Sequence, residues 1–400
     1  MDFNHNNNQY GGNYYGFNQP QNNQGYNPEY NAGQYGPNPY YNPMPNGFYN
    51  NNYDYQPQPM YNYGYQNNHA RIINQQKIAK LLEQKTELRK FSTIFALAML
   101  GYLVVSVVFV VLVEILGLSD LFFANGTFSL GMGILISVFS IGIPFFIAEK
   151  VTRKKEGLHE ISYAAPRINF KTLCIILFSV FGCLLSMNIT GYFQSFFEMF
   201  GFVFSSGEEP NITGIADIIG LFVGIAVVPP LIEEFAIRNV VMQPLRKYGN
   251  AFAIVASAIF FGILHGTPTQ IPFAILSGLF LGYAAIATDS IWTSIIIHAI
   301  VNGLSCCYST VCYYTDEETA LSVHGIICLV FMATGIASLI IYMVKYKNEF
   351  KRVISDKGLQ DYSFSQKLVK FIFSPVMIIA LIVFLLQAAS LISFEPGANV

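Results

Sequence analysis

The sequence predicts an all-α, polytopic membrane protein of eight or nine transmembrane helices with a disordered N-terminal tail, on three observations. Its 400 residues are 53% hydrophobic and only 12% charged, which excludes an ordinary water-soluble globular chain. From Met1 to Arg71 there is no Leu, Ile or Val, so the aliphatic weight is concentrated in the chain beyond Arg71. All 22 Lys and Arg residues lie in the region up to Lys90, in 150–171, in 238–247 or in 345–370, which are alternate connections between apolar runs.

Residues 1–70 are a low-complexity tract of Asn, Tyr, Gln, Gly and Pro. Without aliphatic side chains such a tract cannot offset the entropy of ordering, so it is expected to be disordered and cytoplasmic. A functional alternative is that its tyrosines act as stickers for self-association or for a partner. Over 71–90, Ile72, Ile73, Ile78, Leu81, Leu82 and Leu88 alternate with Lys and Arg, which predicts an amphipathic juxtamembrane helix. The membrane core is expected over 91–345, and 346–400 reads as a basic cytoplasmic loop followed by a last transmembrane helix. Nine stretches are apolar and about long enough to span, near 91–117, 127–148, 172–192, 214–232, 251–266, 271–288, 291–307, 323–344 and 371–393. Several are short or interrupted by Gly and Pro, hence eight or nine.

The positive-inside rule applied to those four cationic stretches places the N-terminus in the cytoplasm of a multi-pass cell-membrane protein, and the C-terminus outside if there are nine spans. No basic segment followed by an apolar core opens the chain, so no cleaved signal peptide is expected, and Gly397–Val400 carries no prenylation box. Cys174, Cys183, Cys306, Cys307, Cys312 and Cys328 lack metal-type spacing and read as small buried thiols.

An ionisable side chain at bilayer depth costs several kcal/mol, so each one within an apolar run requires a reason. Glu233, Glu234 and Arg238 come after the fourth run, His265 closes the fifth, and His298 with Asn302 lies in the seventh. Glu114 reads as a residue of the outer rim and Asp289 as part of a cytoplasmic turn. If Lys247-Tyr248-Gly249-Asn250 reverses the chain, Glu233 lies sixteen residues before Gly249 and His265 sixteen after it. At about 1.5 Å per residue both would sit ~24 Å from the turn on antiparallel neighbours. This requires the fourth helix to continue past Glu233 through Arg238, with Pro229-Pro230 kinking it and opening space beside it. His298 lies nine residues beyond Asp289, with Asn302 one turn further on the same face.

Glu234 and Arg238 have the i,i+4 spacing of a helical ion pair, acid first. Glu233 points about 100° away and remains the free carboxylate. It can take a proton from water, His265 can share or relay that proton, and His298 and Asn302 offer donors to an oxyanion forming on a substrate carbonyl. The set makes a peptide hydrolase without a Ser or Cys nucleophile. Taken singly, an intramembrane His is more often a packing residue and an acid–arginine pair a helix lock; their conjunction at one cavity favours function.

These residues carry a family resemblance. Glu233-Glu234-Phe235-Ala236-Ile237-Arg238 fits E-E-x-x-x-R, Phe261 to His265 fits F-x-x-x-H, and His298 to Asn302 fits H-x-x-x-N. In that order they resemble the CPBP family of intramembrane glutamic endopeptidases, which includes type II CAAX prenyl endopeptidases and proteins linked to bacteriocin processing and self-immunity. The resemblance covers about 91–345. It implies that Glu233 is the general base with His265 assisting, that His298 and Asn302 form the oxyanion hole, that Glu234 and Arg238 hold the helix and tune the site, and that Phe261 packs beside His265.

The implied reaction is endoproteolysis of a membrane-associated or lipidated peptide, so the expected partners are the bilayer and a membrane peptide or lipoprotein substrate, and not nucleic acid. No oligomeric state follows from the sequence. One carboxylate and two histidines are also a possible zinc set, the alternative for a cofactor. There is no H-E-x-x-H, however, and the glutamate mechanism that the motifs resemble needs no metal or other cofactor. A non-catalytic self-immunity or scaffold protein is the alternative function. A proton-linked transporter is less favoured, because inverted repeats and paired broken helices are not evident.

Overall fold

The computed structural model describes residues 63–152, 161–205 and 212–395. The predicted tail therefore lies almost wholly outside the described residues. Within them the chain is helical except for one short pair of strands. The first helix, α1 (Tyr63–Ile115), is followed by the short α2 (Ser119–Ala124), α3 (Gly126–Thr152) and α4 (Phe170–Glu198). A continuous helical run then covers 215–248, changing winding several times: α5 (Ile215–Leu221), a π-helical segment (Phe222–Val227), α6 (Val228–Glu234), a second π-helical segment (Phe235–Met242), α7 (Gln243–Leu245) and a closing 3₁₀ turn (Arg246–Tyr248). After it come α8 (Asn250–His265), α9 (Gln270–Thr288), α10 (Ile291–Tyr314), α11 (Glu317–Lys345), α12 (Lys347–Ser355), α13 (Phe364–Ile372) and α14 (Pro375–Ser390). Strands β1 (Phe202–Phe204) and β2 (Ile392–Phe394) pair antiparallel.

Among the described residues, seven helices are long and apolar enough to cross a membrane, or eight if α13 and α14, bent by 73°, count as one broken span. The expected fifth span is α8, whose 16 residues extend about 24 Å, short of the ~30 Å hydrocarbon core. It ends because Gly266 adopts a left-handed conformation at φ 66°. The other end of α9 closes on Asp289, also left-handed at φ 50°, a conformation that Asp tolerates better than most side chains.

Residues 71–90 differ from the expected separate surface helix: they are the lower part of α1. Gln84 and Leu88 are buried, Gln84 bonds to Asp361, Tyr362 donates to Leu81 O at 2.9 Å, and Tyr248 donates to Glu87 at 3.0 Å. One face of this stretch is thus covered by the C-terminal segment, while Ile72, Ile73, Ile78 and Leu82 remain exposed.

The main core runs between α1, α3, α4, the 215–248 run, α8, α9 and α14, with Phe95, Phe145, Phe252, Phe371 and Phe384 fully buried. All six cysteines are free; Cys174, Cys183 and Cys306 are buried, whereas Cys307, Cys312 and Cys328 are only half-buried. Glu114 is exposed and accepts from Ser119, and Asp289 ends α9, as the sequence pattern predicts.

Candidate active site

Pro229 and Pro230 shape the helix that carries the acidic pair. Neither has an N–H, so the carbonyl of Ile225 finds no donor four or five residues on, and the preceding turn widens to π winding. Asn302 on α10 fills the gap: its Nδ2 donates to Ile225 O at 2.9 Å. This ties α10 to the widened turn and leaves Asn302 Oδ1 and a second amide hydrogen outside the bond.

Glu233 and Glu234, at the end of α6, have different surroundings. Glu234 is fully buried; Arg238 Nε donates to its Oε2 at 2.7 Å, and His298 Nδ1 lies 3.1 Å from its Oε1. The Arg238 guanidinium also lies over the Phe261 ring at 5.4 Å, the cation–π arrangement, while its Nη1 and Nη2 are buried without a hydrogen-bond partner among the described residues. Glu233 is partly exposed, and its Oε2 has no hydrogen-bond partner among them; the nearest cation-forming group is His298 Nε2 at 3.8 Å.

The contact between acid and imidazole thus differs from the expected one. Glu233 meets His298, and no ion pair within 4 Å joins it to His265. The reason lies in the winding between Glu234 and Gly249. A π-helical segment and a 3₁₀ turn change rise and rotation per residue, so counting at the α-helical rise misjudges where Glu233 faces. His265 nevertheless belongs to the same cluster. Phe261 packs edge-on against both imidazoles, with centroids 4.7 Å from His265 and 5.9 Å from His298. His265 Nδ1 lies 2.8 Å from Phe261 O; since a carbonyl only accepts, Nδ1 carries the proton and Nε2 presents its lone pair.

Phe261 is therefore a hub for Arg238, His265 and His298. Glu233, Glu234, Arg238, Phe261, His265 and His298 are linked by these contacts across α6, the second π-helical segment, α8 and α10, while Asn302 is held to Ile225. Close packing of α8 on α9 makes this possible: a Cβ on Gly262 would meet Ile275 Cγ1 at 2.3 Å and the backbone oxygen of Ile271 at 2.6 Å.

Two neighbours escaped the sequence reading. Asn239 donates to Glu149 Oε1 at 2.8 Å, and both are buried, pinning α3 to the π-helical segment beside Arg238. Glu149 stands one residue beyond the second predicted span, next to Lys150, so it reads as the start of a solvated connection. An acid so close to an apolar run was the available signal.

Among the described residues, no three His, Cys, Asp or Glu side chains converge as metal ligands. His298 turns Nδ1 to Glu234, and Nδ1 of His265 is held by a carbonyl.

The described helices thus bring together a buried acid–arginine lock, a carboxylate with an unpartnered oxygen and two imidazoles. Residues 215–304 match the family model of type II CAAX prenyl endopeptidase Rce1-like proteins. Over that segment the chain is Rce1-like, consistent with a CPBP-family intramembrane protease, the family that the three motifs resemble. No curated protein and no solved structure matches the chain.

Proposed function

We propose that the chain is a CAAX-type glutamic endopeptidase of the cell membrane, with its N-terminus in the cytoplasm, which hydrolyses a membrane-associated or lipidated peptide without a metal. The observation that carries this reading is the Glu233 carboxylate, whose unpartnered oxygen faces His298 at 3.8 Å while Glu234 is locked behind it. At that separation the two groups are beyond direct hydrogen-bond distance, so the oxygen keeps its acceptor capacity for a substrate water.

In the proposed reaction Glu233 takes a proton from water as the oxygen attacks the scissile carbonyl, and His265, with Nε2 unprotonated, assists in holding or relaying that proton. His298 and the second amide hydrogen of Asn302 stabilise the oxyanion. Glu234 and Arg238 act indirectly: Glu234 holds Nδ1 of His298 and thereby aims Nε2 at the chamber. The proton returns to the leaving amine.

The test is cleavage of a prenylated peptide by purified protein in detergent. Glu233→Gln and His265→Ala are expected to abolish turnover with thermal unfolding unchanged, and cleavage by Glu233→Gln protein would overturn the mechanism. Activity should survive chelators; loss restored by zinc would reverse the metal-free assignment.

A further inference from the structure

Two helices outside the segment matched by the family bring a polar group beside Gly266, the residue after His265. The bases of α1 and α14 meet where Ser92 Oγ and Ser374 Oγ lie 2.6 Å apart. Ten residues further along each chain, about 15 Å at the helical rise, Tyr102 and Phe384 stack with centroids 6.2 Å apart and planes 19° apart. The two helices therefore run parallel and in register. Gln387 comes one turn beyond Phe384, the single amide side chain in a helix that otherwise reads PVMIIALIVFLLQAAS.

That amide, in the last turn of α14, is exposed on the protein surface and has no side-chain hydrogen bond among the described residues. It lies over Gly266, the residue after His265: a Cβ built on Gly266 would be 2.9 Å from Gln387 Nε2 and 3.6 Å from Oε1. With α14 in the bilayer, an exposed amide without a partner costs a few kcal/mol, and an extended peptide supplies the matching donor and acceptor.

We propose that Gln387 is a specificity-determining residue whose side-chain amide pairs with a peptide group of the substrate adjacent to the scissile bond. Tyr102 and Phe384 are positioning residues that hold α14 at the required height. This rests on the endopeptidase reading, and the experiment separates the two by measuring affinity apart from turnover.

The full-length protein carrying Glu233→Gln, in detergent, is titrated with a fluorescent S-farnesylated peptide and with a series bearing one N-methylated peptide bond each. Gln387→Met is expected to weaken binding of the parent peptide about tenfold, the scale of one net amide hydrogen bond. One N-methyl position should weaken binding to the Gln387 protein by a similar factor and leave the Gln387→Met protein unaffected. Unchanged affinity in Gln387→Met, failure of the peptide to bind, or N-methyl losses equal in both proteins would overturn the assignment. If Gln387→Met proves unstable on thermal unfolding, Gln387→Asn, one methylene shorter, replaces it with the same expected loss and the same refutation. Cleavage by the wild type is scored separately: a peptide that binds through Gln387 but is never cut sinks the hydrolase and leaves the subsite standing.

Discussion

Glu233 and Glu234 are adjacent in sequence, yet one is bonded on both carboxylate oxygens and the other has an oxygen with no partner among the described residues. The difference follows from rotation about the helix, which turns Glu234 toward Arg238 and Nδ1 of His298 and leaves Glu233 partly exposed near Nε2 of His298. Substitutions should separate accordingly. Arg238→Met removes the guanidinium that compensates a fully buried carboxylate, and is expected to cost about 3–5 kcal/mol of stability, read as earlier thermal unfolding. Glu233→Gln should leave unfolding unmoved and remove turnover. Asn302→Leu affects both, because it strips a donor from the chamber and leaves the Ile225 carbonyl unpaired at a proline-made gap; a loss of about 1–3 kcal/mol is expected together with loss of activity.

Among the elements, α8 and its two turns decide where His265 stands. Its outer half is pressed on α9 at Gly262, where a Cβ would lie 2.6 Å from the backbone oxygen of Ile271. A backbone atom cannot rotate away as a side chain can. Gly262→Ala is therefore expected to force the helices apart at a cost of about 1–3 kcal/mol, with kcat falling because His265 and Phe261 move with the helix; comparison of unfolding and turnover checks both. The inner end is held from the C-terminal segment: Leu359 N donates to Lys247 O at 2.8 Å and Asn250 N to Asp356 O at 3.2 Å. Lys367, itself buried, donates to Tyr248 O at 2.6 Å and to Lys357 O at 3.1 Å. Lys367→Met should loosen this turn, seen as faster amide exchange at Gly249 and Asn250.

At the scale of the whole molecule, the segment that matches the family is embraced by parts that do not. Phe371 of α13 packs against Phe95 of α1 and Phe252 of α8, with centroids 6.3 and 6.2 Å apart, and Phe384 of α14 is fully buried. A chain ending at Lys345 would leave these core positions open and is expected to fail to yield folded protein in detergent, judged by size-exclusion profile. Removal of residues 1–62, which precede α1, should leave turnover in detergent unchanged; a large loss would assign the tail a part in catalysis. Cysteine labelling from either side of intact cells checks the proposed orientation, with 345–370 expected on the cytoplasmic side.

Composition, the cation pattern and three motifs were enough to read a polytopic helical membrane protein and to single out Glu233, Glu234, Arg238, Phe261, His265, His298 and Asn302, because a bilayer tolerates ionisable groups only where something binds them. The Glu234–Arg238 pair was legible because it is local, four residues apart on one helix. Only the tertiary structure decided which imidazole faces Glu233, since the π-helical segment and the 3₁₀ turn between Glu234 and Gly249 alter the rotation per residue that counting assumes. It also brought in Glu149, Asn239, Lys367 and Gln387, whose partners lie ten to 121 residues away in the chain, and no local pattern encodes a contact made across such a separation.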